Sequence, residues 1–96
     1  MSQHFLIRYT QAGSKEQREA LRGEHIAFRK ALGGDLVLAG PILSDEGELF
    51  GSVIILAADS GADARAIALK DPYVLAELLT ILSIEQIRIA AINPPA

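Results

Sequence analysis

Two side chains of this sequence, His25 and Asp71, are of the types from which a general acid–base pair is built. An imidazole takes up and releases a proton near neutral pH. A carboxylate that accepts its Nδ1 hydrogen fixes the tautomer and supports positive charge during proton transfer. The chain has no cysteine and one other histidine, His4, which excludes thiol nucleophiles, disulfides and thiolate metal sites. We therefore expect chemistry without a metal ion or a cofactor.

His25 lies within the apolar stripe of the first predicted helix when residues are spaced at about 100°. Three apolar residues form this stripe: Leu21, Phe28 and Leu32. Three arginines follow one edge of it: Arg18, Arg22 and Arg29. Residues 15–32 hold five basic and three acidic side chains, whereas the whole chain has a net charge of −3. A half-buried imidazole edged by guanidinium groups can bind a small carboxylate or phenolate.

Each of these residues also has an ordinary structural interpretation. A histidine on an apolar stripe is more often a core-edge residue whose ring nitrogens bond to backbone carbonyls. Arginines beside such a stripe often cover apolar surface with their stems. Asp71 precedes Pro72, and this pair commonly starts a helix. The spacing alone does not show that His25 and Asp71 meet.

The hydrophobic periodicity predicts elements in the order β-α-β-β-α-β. The predicted strands are 4–9, 36–39, 49–58 and 83–92, and the predicted helices are 15–32 and 62–69, with further helical turns after Asp71-Pro72 and a tail at 93–96. Ser14 and Gln17 have the form of a capping box, Gly40-Pro41 stops the second strand, and Asp45-Glu46-Gly47 forms a turn. This order predicts a ferredoxin-like α+β fold, a four-stranded antiparallel sheet with helices on one face, as one domain over residues 1–96.

The third predicted strand is apolar on both sides. Val53, Ile55 and Ala57 point one way, and Ile54, Leu56 and Ala58 point the other. Helices can cover only one face, and the simplest second layer is another copy of the chain related by a two-fold axis. We therefore expect a homodimer formed by sheet-to-sheet packing.

Other partners are not expected. Basic residues do not cluster with aromatic residues, which argues against nucleic-acid binding. The longest purely apolar run, 53–58, is far shorter than a membrane span. We expect a cytoplasmic protein that binds neither nucleic acid nor a membrane.

Four short motifs occur in a characteristic order along nearly the whole chain. They are Arg22-Gly23-Glu24-His25 on the first helix, Gly40-Pro41 after the second strand, Gly51-Ser52 at the third strand, and Asp71-Pro72-Tyr73 before the last strand. In this order and spacing they resemble the YCII-related (YciI-like) family of small dimeric α+β proteins. The resemblance implies a ferredoxin-like fold that dimerises into an α+β barrel.

The resemblance also implies a site built on a His–Asp pair, which is His25 and Asp71 here. With this pair we expect substrate contacts from other motif residues, namely Arg22, Gly40, Pro41, Ser52 and Tyr73. Some family members are dehydrochlorinase-like enzymes that act on chlorinated aromatic degradation products, whereas others look like accessory domains. The chain departs from the family at Glu77, where glycine is common. Glu77 could narrow the site, supply a second acid or face solvent.

We expect a small cofactor-free enzyme that acts on a small anionic organic substrate by elimination or tautomerisation. His25 is the general base or acid, Asp71 orients it, and Arg22 anchors an anionic group. Positioned acid–base catalysis supplies roughly 10²–10⁴-fold, so the substrate must be intrinsically activated. The alternative is a dimeric module that binds a small organic acid without turnover. A cofactor-free monooxygenase is a third hypothesis, although such sites rely on aromatic residues, which make up only 5% of this chain.

Overall fold

The computed structural model describes residues 2–93, which form one antiparallel sheet and its covering helices. In chain order the elements are β1 (Gln3–Gln11), α1 (Lys15–Ala31), a 3₁₀ turn (Gly33–Asp35), β2 (Leu36–Leu43), β3 (Leu49–Ala58), α2 (Gly61–Ala68), α3 (Pro72–Leu75) and β4 (Leu79–Ile87). The strand order is β2-β3-β1-β4, and every neighbouring pair is antiparallel. The predicted ferredoxin-like α+β fold is confirmed. The expected tail lies outside the described residues, apart from Asn93.

Two local structures predicted from the sequence are present, the capping box at the start of α1 and the turn between β2 and β3. The Ser14 hydroxyl accepts a hydrogen bond from the Gln17 amide at 3.1 Å, and the Gln17 side chain accepts one from the Ser14 amide at 2.7 Å. This capping box satisfies amides that the first helical turn leaves free. In the hairpin, Gly47 adopts a φ of +82°, and its amide bonds to the Ser44 carbonyl at 2.9 Å.

Two predicted strands have wrong boundaries. Strand β2 does not end before Gly40-Pro41 but continues through both, and Pro41 pairs with Ser52 of β3. A proline is tolerated there because β2 is an edge strand, where a missing amide hydrogen costs no ladder bond. Strand β4 runs over Leu79–Ile87 and not over 83–92. Its register against β1 shifts at Leu82, and this bulge breaks the two-residue alternation from which strand boundaries are inferred.

The core lies between the sheet and α2. Side chains from one face of β1 and β3 fill it together with the alanines of α2: Phe5, Ile7, Tyr9, Ile54, Leu56, Ala58, Ala64 and Ala68. The largest fully buried side chain is the aromatic Tyr9.

Helix α1 packs differently from α2. No residue of α1 is fully buried, and the helix rests mainly on α3. A cleft therefore remains between α1 and the β2–β3 hairpin. None of the helices in the described part of the chain combines the length and apolar character needed to span a membrane.

Candidate active site

Asp71 occupies the N-cap position of α3. Its Oδ1 accepts a hydrogen bond from the Tyr73 amide at 2.9 Å, and Pro72 supplies the first helical residue, as the sequence predicts. The Asp71 side chain is only 1% exposed. A carboxylate buried this deeply needs several donors, because burial alone disfavours its charged form.

His25 supplies the second donor to Asp71. Its Nδ1 lies 2.7 Å from Asp71 Oδ1, and the His25 side chain is 14% exposed. An ionised carboxylate only accepts hydrogen bonds, so the hydrogen of the neutral imidazole lies on Nδ1. The opposite ring nitrogen, Nε2, has no hydrogen-bond partner among the described residues, and His25 lines the cleft. The contact that the spacing left open is therefore present in the structure.

Tyr73 supports the imidazole from one side. The rings of Tyr73 and His25 stack with their centroids 3.9 Å apart and their planes 8° apart. The Tyr73 hydroxyl donates a hydrogen bond to the Arg18 carbonyl of α1 at 2.9 Å. Tyr73 thereby connects α3 to α1 and fixes the orientation of the His25 ring.

Arg29 is the third group that contacts Asp71, and it was not among the site residues selected from the sequence. Its Nε lies 3.4 Å from Asp71 Oδ2, and the Arg29 side chain is 14% exposed. The Arg29 Cζ lies 5.8 Å from the centroid of the Tyr9 ring, within range of a cation–π interaction. The sequence signal was its position on α1, four residues after His25 and therefore on the same helix face.

Tyr9 lies beneath Arg29 at the sheet end of this cluster. Burial is the main cause that raises the pKa of Tyr9 to about 12; the Arg29 guanidinium opposes this shift, and the Asp71 carboxylate adds to it. The phenol therefore stays neutral at physiological pH. Arg29 consequently pairs with the Asp71 carboxylate and not with a tyrosinate.

The cleft in front of His25 has a volume of about 980 Å³. Six of the seven residues selected from the sequence line it: Arg22, His25, Gly40, Pro41, Ser52 and Tyr73. Asp71, the seventh, lies behind His25 and reaches the cleft only through the imidazole. The structure thus brings the four sequence motifs together around one cavity.

Two glycines of these motifs, Gly40 and Gly51, occupy their positions for different structural reasons. A Cβ at Gly51 would lie 2.8 Å from the Tyr9 carbonyl oxygen, so close backbone approach explains this glycine. A Cβ at Gly40 would meet no atom within 4 Å, and Gly40 borders open space in the cleft. The Gly40 carbonyl also accepts a hydrogen bond from the Ser52 hydroxyl at 3.3 Å.

Cationic side chains of α1 dominate one wall of the cleft. Arg18 Nη1 donates hydrogen bonds to the carbonyls of Ala12 and Gly13, each at 3.1 Å. Lys15 Nζ lies 3.8 Å from Glu19 Oε1. Arg22 forms no hydrogen bond or ion pair with the described residues, so its guanidinium remains available to an anion. Across residues 2–93, no three histidine, aspartate or glutamate side chains are grouped so that they could hold a metal ion.

Glu77 lies outside the cleft, on an exposed turn. It has a φ of +61° and follows Ala76, the C-cap residue of α3. Its amide bonds to the Val74 carbonyl at 3.0 Å, and the Leu78 amide bonds to the Tyr73 carbonyl at 2.8 Å. These two bonds form a Schellman motif, in which this position usually holds glycine. Of the three alternatives for Glu77, the structure supports the solvent-facing one.

Comparisons with known proteins agree with this geometry. The family model of the YCII-related domain matches residues 2–88. The chain is similar to a solved structure of 5-chloro-2-hydroxyhydroquinone dehydrochlorinase (TftG) from Burkholderia phenoliruptrix AC1100 in complex with 2,5-dihydroxybenzoquinone. The sequence identity is 25% and the TM-score is 0.69, over 90% of this chain and 92% of that one. No curated protein sequence matches the chain.

Proposed function

The chain belongs to the YCII-related family, and from this premise we propose that it is a cofactor-free acid–base enzyme acting on a small anionic organic substrate. The reaction class is elimination or tautomerisation on a hydroxylated, quinone-like ring. One observation carries the proposal: His25 bonds to buried Asp71 through Nδ1, and its Nε2 at the cleft has no partner among residues 2–93. The similarity to a dehydrochlorinase supports the same class.

His25 Nε2 is the proton acceptor in the proposed reaction. It takes a hydroxyl proton from the substrate and returns it to the ring carbon that bears chlorine. Nε2 then takes a second hydroxyl proton, the electron pair of that O–H bond forms a second ring carbonyl, and chloride leaves with the C–Cl bonding pair. The net loss is HCl, so no oxidant or reductant is required. Asp71 stabilises the imidazolium that forms each time Nε2 takes up a proton.

Arg22 is the proposed anchor for the anionic oxygen of the substrate. It lies three residues before His25 on α1, so both side chains lie on one face of the helix. Gly40, Pro41 and Ser52 form the opposite wall, where the absence of a side chain at Gly40 leaves room for a ring. In this proposal Arg22 and the opposite wall of the cleft bind the substrate, and His25 transfers the proton.

Turnover of 5-chloro-2-hydroxyhydroquinone tests this proposal directly, with chloride release and quinone absorbance as the two readouts. We expect turnover by the wild type and a loss of roughly 10²-fold or more in His25→Gln. His4→Gln is the matched control, because it makes the same change at the other histidine, and it should retain activity. Equal turnover by His25→Gln and the wild type would contradict the role of His25.

Binding of 2,5-dihydroxybenzoquinone, followed by calorimetry, tests the anchor. Arg22→Met should weaken binding by roughly 10- to 150-fold, since a charge-assisted hydrogen bond contributes about 1.5–3 kcal/mol. Lys30→Met removes the same charge from an exposed position of α1 and should leave binding unchanged. Binding without any chloride release from the chlorinated compound would favour the alternative, a ligand-binding module without turnover.

We also propose that two copies of the chain pack through the sheet face opposite the helices. Leu6 pairs with Ile55 on this face, and Leu38 beside Ile55 is 47% exposed. Exposed Arg8 and Glu85 lie on the same face, and neither forms an ion pair with another described residue. A two-fold axis can bring Arg8 of one copy to Glu85 of the other, which adds charge complementarity to the apolar contact.

A further inference from the structure

We infer that Arg29 is a positioning residue that supplies the positive charge for Asp71 and thereby keeps the His25 imidazole free to accept a proton. This inference rests on the proposed function, because it concerns how the same His–Asp pair operates. Arg29 lies outside the Arg-x-x-His motif that carries the family resemblance. Its contacts with Asp71 and Tyr9 define its role.

The two oxygens of Asp71 have separate partners. Oδ1 accepts from His25 Nδ1 at 2.7 Å and from the Tyr73 amide at 2.9 Å, whereas Oδ2 lies 3.4 Å from Arg29 Nε. If Asp71 had only His25 beside it, the buried carboxylate would favour a protonated imidazole as its counterion. An imidazolium has no free lone pair and cannot act as a base. The Arg29 guanidinium balances the carboxylate charge, so the imidazole need not.

The surroundings of Arg29 hold its charge in place. One face of the guanidinium lies toward the Tyr9 ring, with Cζ 5.8 Å from the ring centroid. Its Nη2 is buried and has no hydrogen-bond partner among the described residues. Tyr9 remains a neutral phenol because burial raises its pKa to about 12, so it offers no competing anion. Asp71 is therefore the one carboxylate in contact with Arg29 in residues 2–93.

Other charged and titratable groups face the same cleft, and none of them places a charged side chain in contact with the pair. On α1 they are Lys15, Arg18, Glu19 and Arg22, on the hairpin Glu48, and on α3 Tyr73. Lys15 lies near Glu19, and Arg18 donates to backbone carbonyls. Tyr73 contacts His25 only through its ring face. Arg29 is thus the cation whose removal changes the charge balance of the pair directly.

Titration of the His25 imidazole by long-range proton–nitrogen NMR tests the inference without any substrate. Arg29→Met and Arg29→Gln remove the charge, and Arg29→Gln keeps an amide donor near Asp71 if Arg29→Met does not fold. In both, the His25–Asp71 pair should hold its proton to a higher pH than in the wild type, because the cation that balances the Asp71 charge is gone. Arg29→Lys keeps the charge and should titrate close to the wild type.

Lys30→Met is the matched control, since it removes an adjacent cation that is exposed on the same helix. Its titration should follow the wild type, and His4 supplies a second imidazole signal as an internal reference. An unshifted titration in a folded Arg29→Met or Arg29→Gln protein overturns the inference, as does an upward shift in Arg29→Lys equal to that in Arg29→Gln.

The outcomes separate this inference from the proposed function. A shifted titration without turnover of any chlorinated hydroxyquinol leaves the Arg29 role standing and removes the proposed reaction. Turnover that depends on His25, together with an unshifted titration, keeps the reaction and removes the role of Arg29.

Discussion

His25 Nδ1 and Asp71 Oδ1 lie 2.7 Å apart although 46 residues separate them in the chain. The contact joins the middle of α1 to the first residue before α3, and the stacked Tyr73 ring reinforces it. Asp71 therefore has two structural tasks, as the cap of α3 and as the acceptor that orients the imidazole. A change at Asp71 is expected to affect both.

Asp71→Asn should destabilise the protein by about 3 kcal/mol, because it leaves the Arg29 charge without its partner in a largely buried site. The amide oxygen can still cap α3, so the loss reports on the charge. Denaturant unfolding at a fixed protomer concentration measures the effect. Asp63→Asn, at an exposed position in the first turn of α2, is the control and should cost about 0.5 kcal/mol. Equal losses in the two variants would show that Asp71 is held in place for function and not for stability.

Glu77→Gly should stabilise the protein by about 1 kcal/mol. Glu77 has a φ of +61°, a conformation that is strained for a residue with a Cβ and free of strain for glycine. The neighbouring Ala76→Gly is the control: its φ of −87° needs no glycine, and the added backbone freedom should cost about 0.5 kcal/mol. Denaturant unfolding of both variants decides the point, and a destabilised Glu77→Gly would indicate that the side chain has a role of its own.

Stability should fall between pH 10 and pH 12 because of Tyr9. Its pKa is 10.0 when exposed in the unfolded chain and is raised by burial to about 12 in the fold. Over this interval the unfolded state binds fewer protons than the native state, so the free energy of unfolding decreases as the pH rises. Two pKa units correspond to a loss of up to about 3 kcal/mol.

Tyr9→Phe should remove this part of the pH dependence, and Tyr73→Phe, which keeps Tyr9, should retain it. Unfolding curves at several pH values between 10 and 12 provide the comparison. The prediction fails if the wild type and Tyr9→Phe lose the same stability across the interval.

Ile55→Glu should convert the proposed dimer into a monomer. Ile55 lies at the centre of the open sheet face, paired with Leu6 and Leu38, so a charge there would be buried in the proposed interface. Sedimentation velocity at micromolar concentration measures the assembly state. Leu75→Glu is the control, because Leu75 is 72% exposed on α3, away from that face, and it should leave the dimer intact. A monomeric wild type would contradict the sheet-to-sheet proposal.

Local features of this protein follow from sequence patterns that act over a few residues. The Ser14–Gln17 capping box, the turn at Gly47 and the Asp71-Pro72 helix start each depend on side chains within four positions of one another. The element order, and with it the fold class, follows from hydrophobic periodicity for the same reason. The two errors in strand boundaries arise where pairing with a distant strand determines the structure. Strand β2 accepts Pro41 because it is an edge strand, and β4 contains a bulge against β1.

The site depended on tertiary structure to a greater degree. The residue types at His25 and Asp71 and the family motifs indicate a cleft, but no local rule determines a contact across 46 residues. That contact exists because α1 rests on α3 and stands away from β2 and β3, which also opens the cavity. The same reason applies to Arg29 and Tyr9. An arginine at the edge of a helix and a tyrosine in a strand give no functional signal in the sequence. They share a role only because both pack near the buried Asp71 carboxylate.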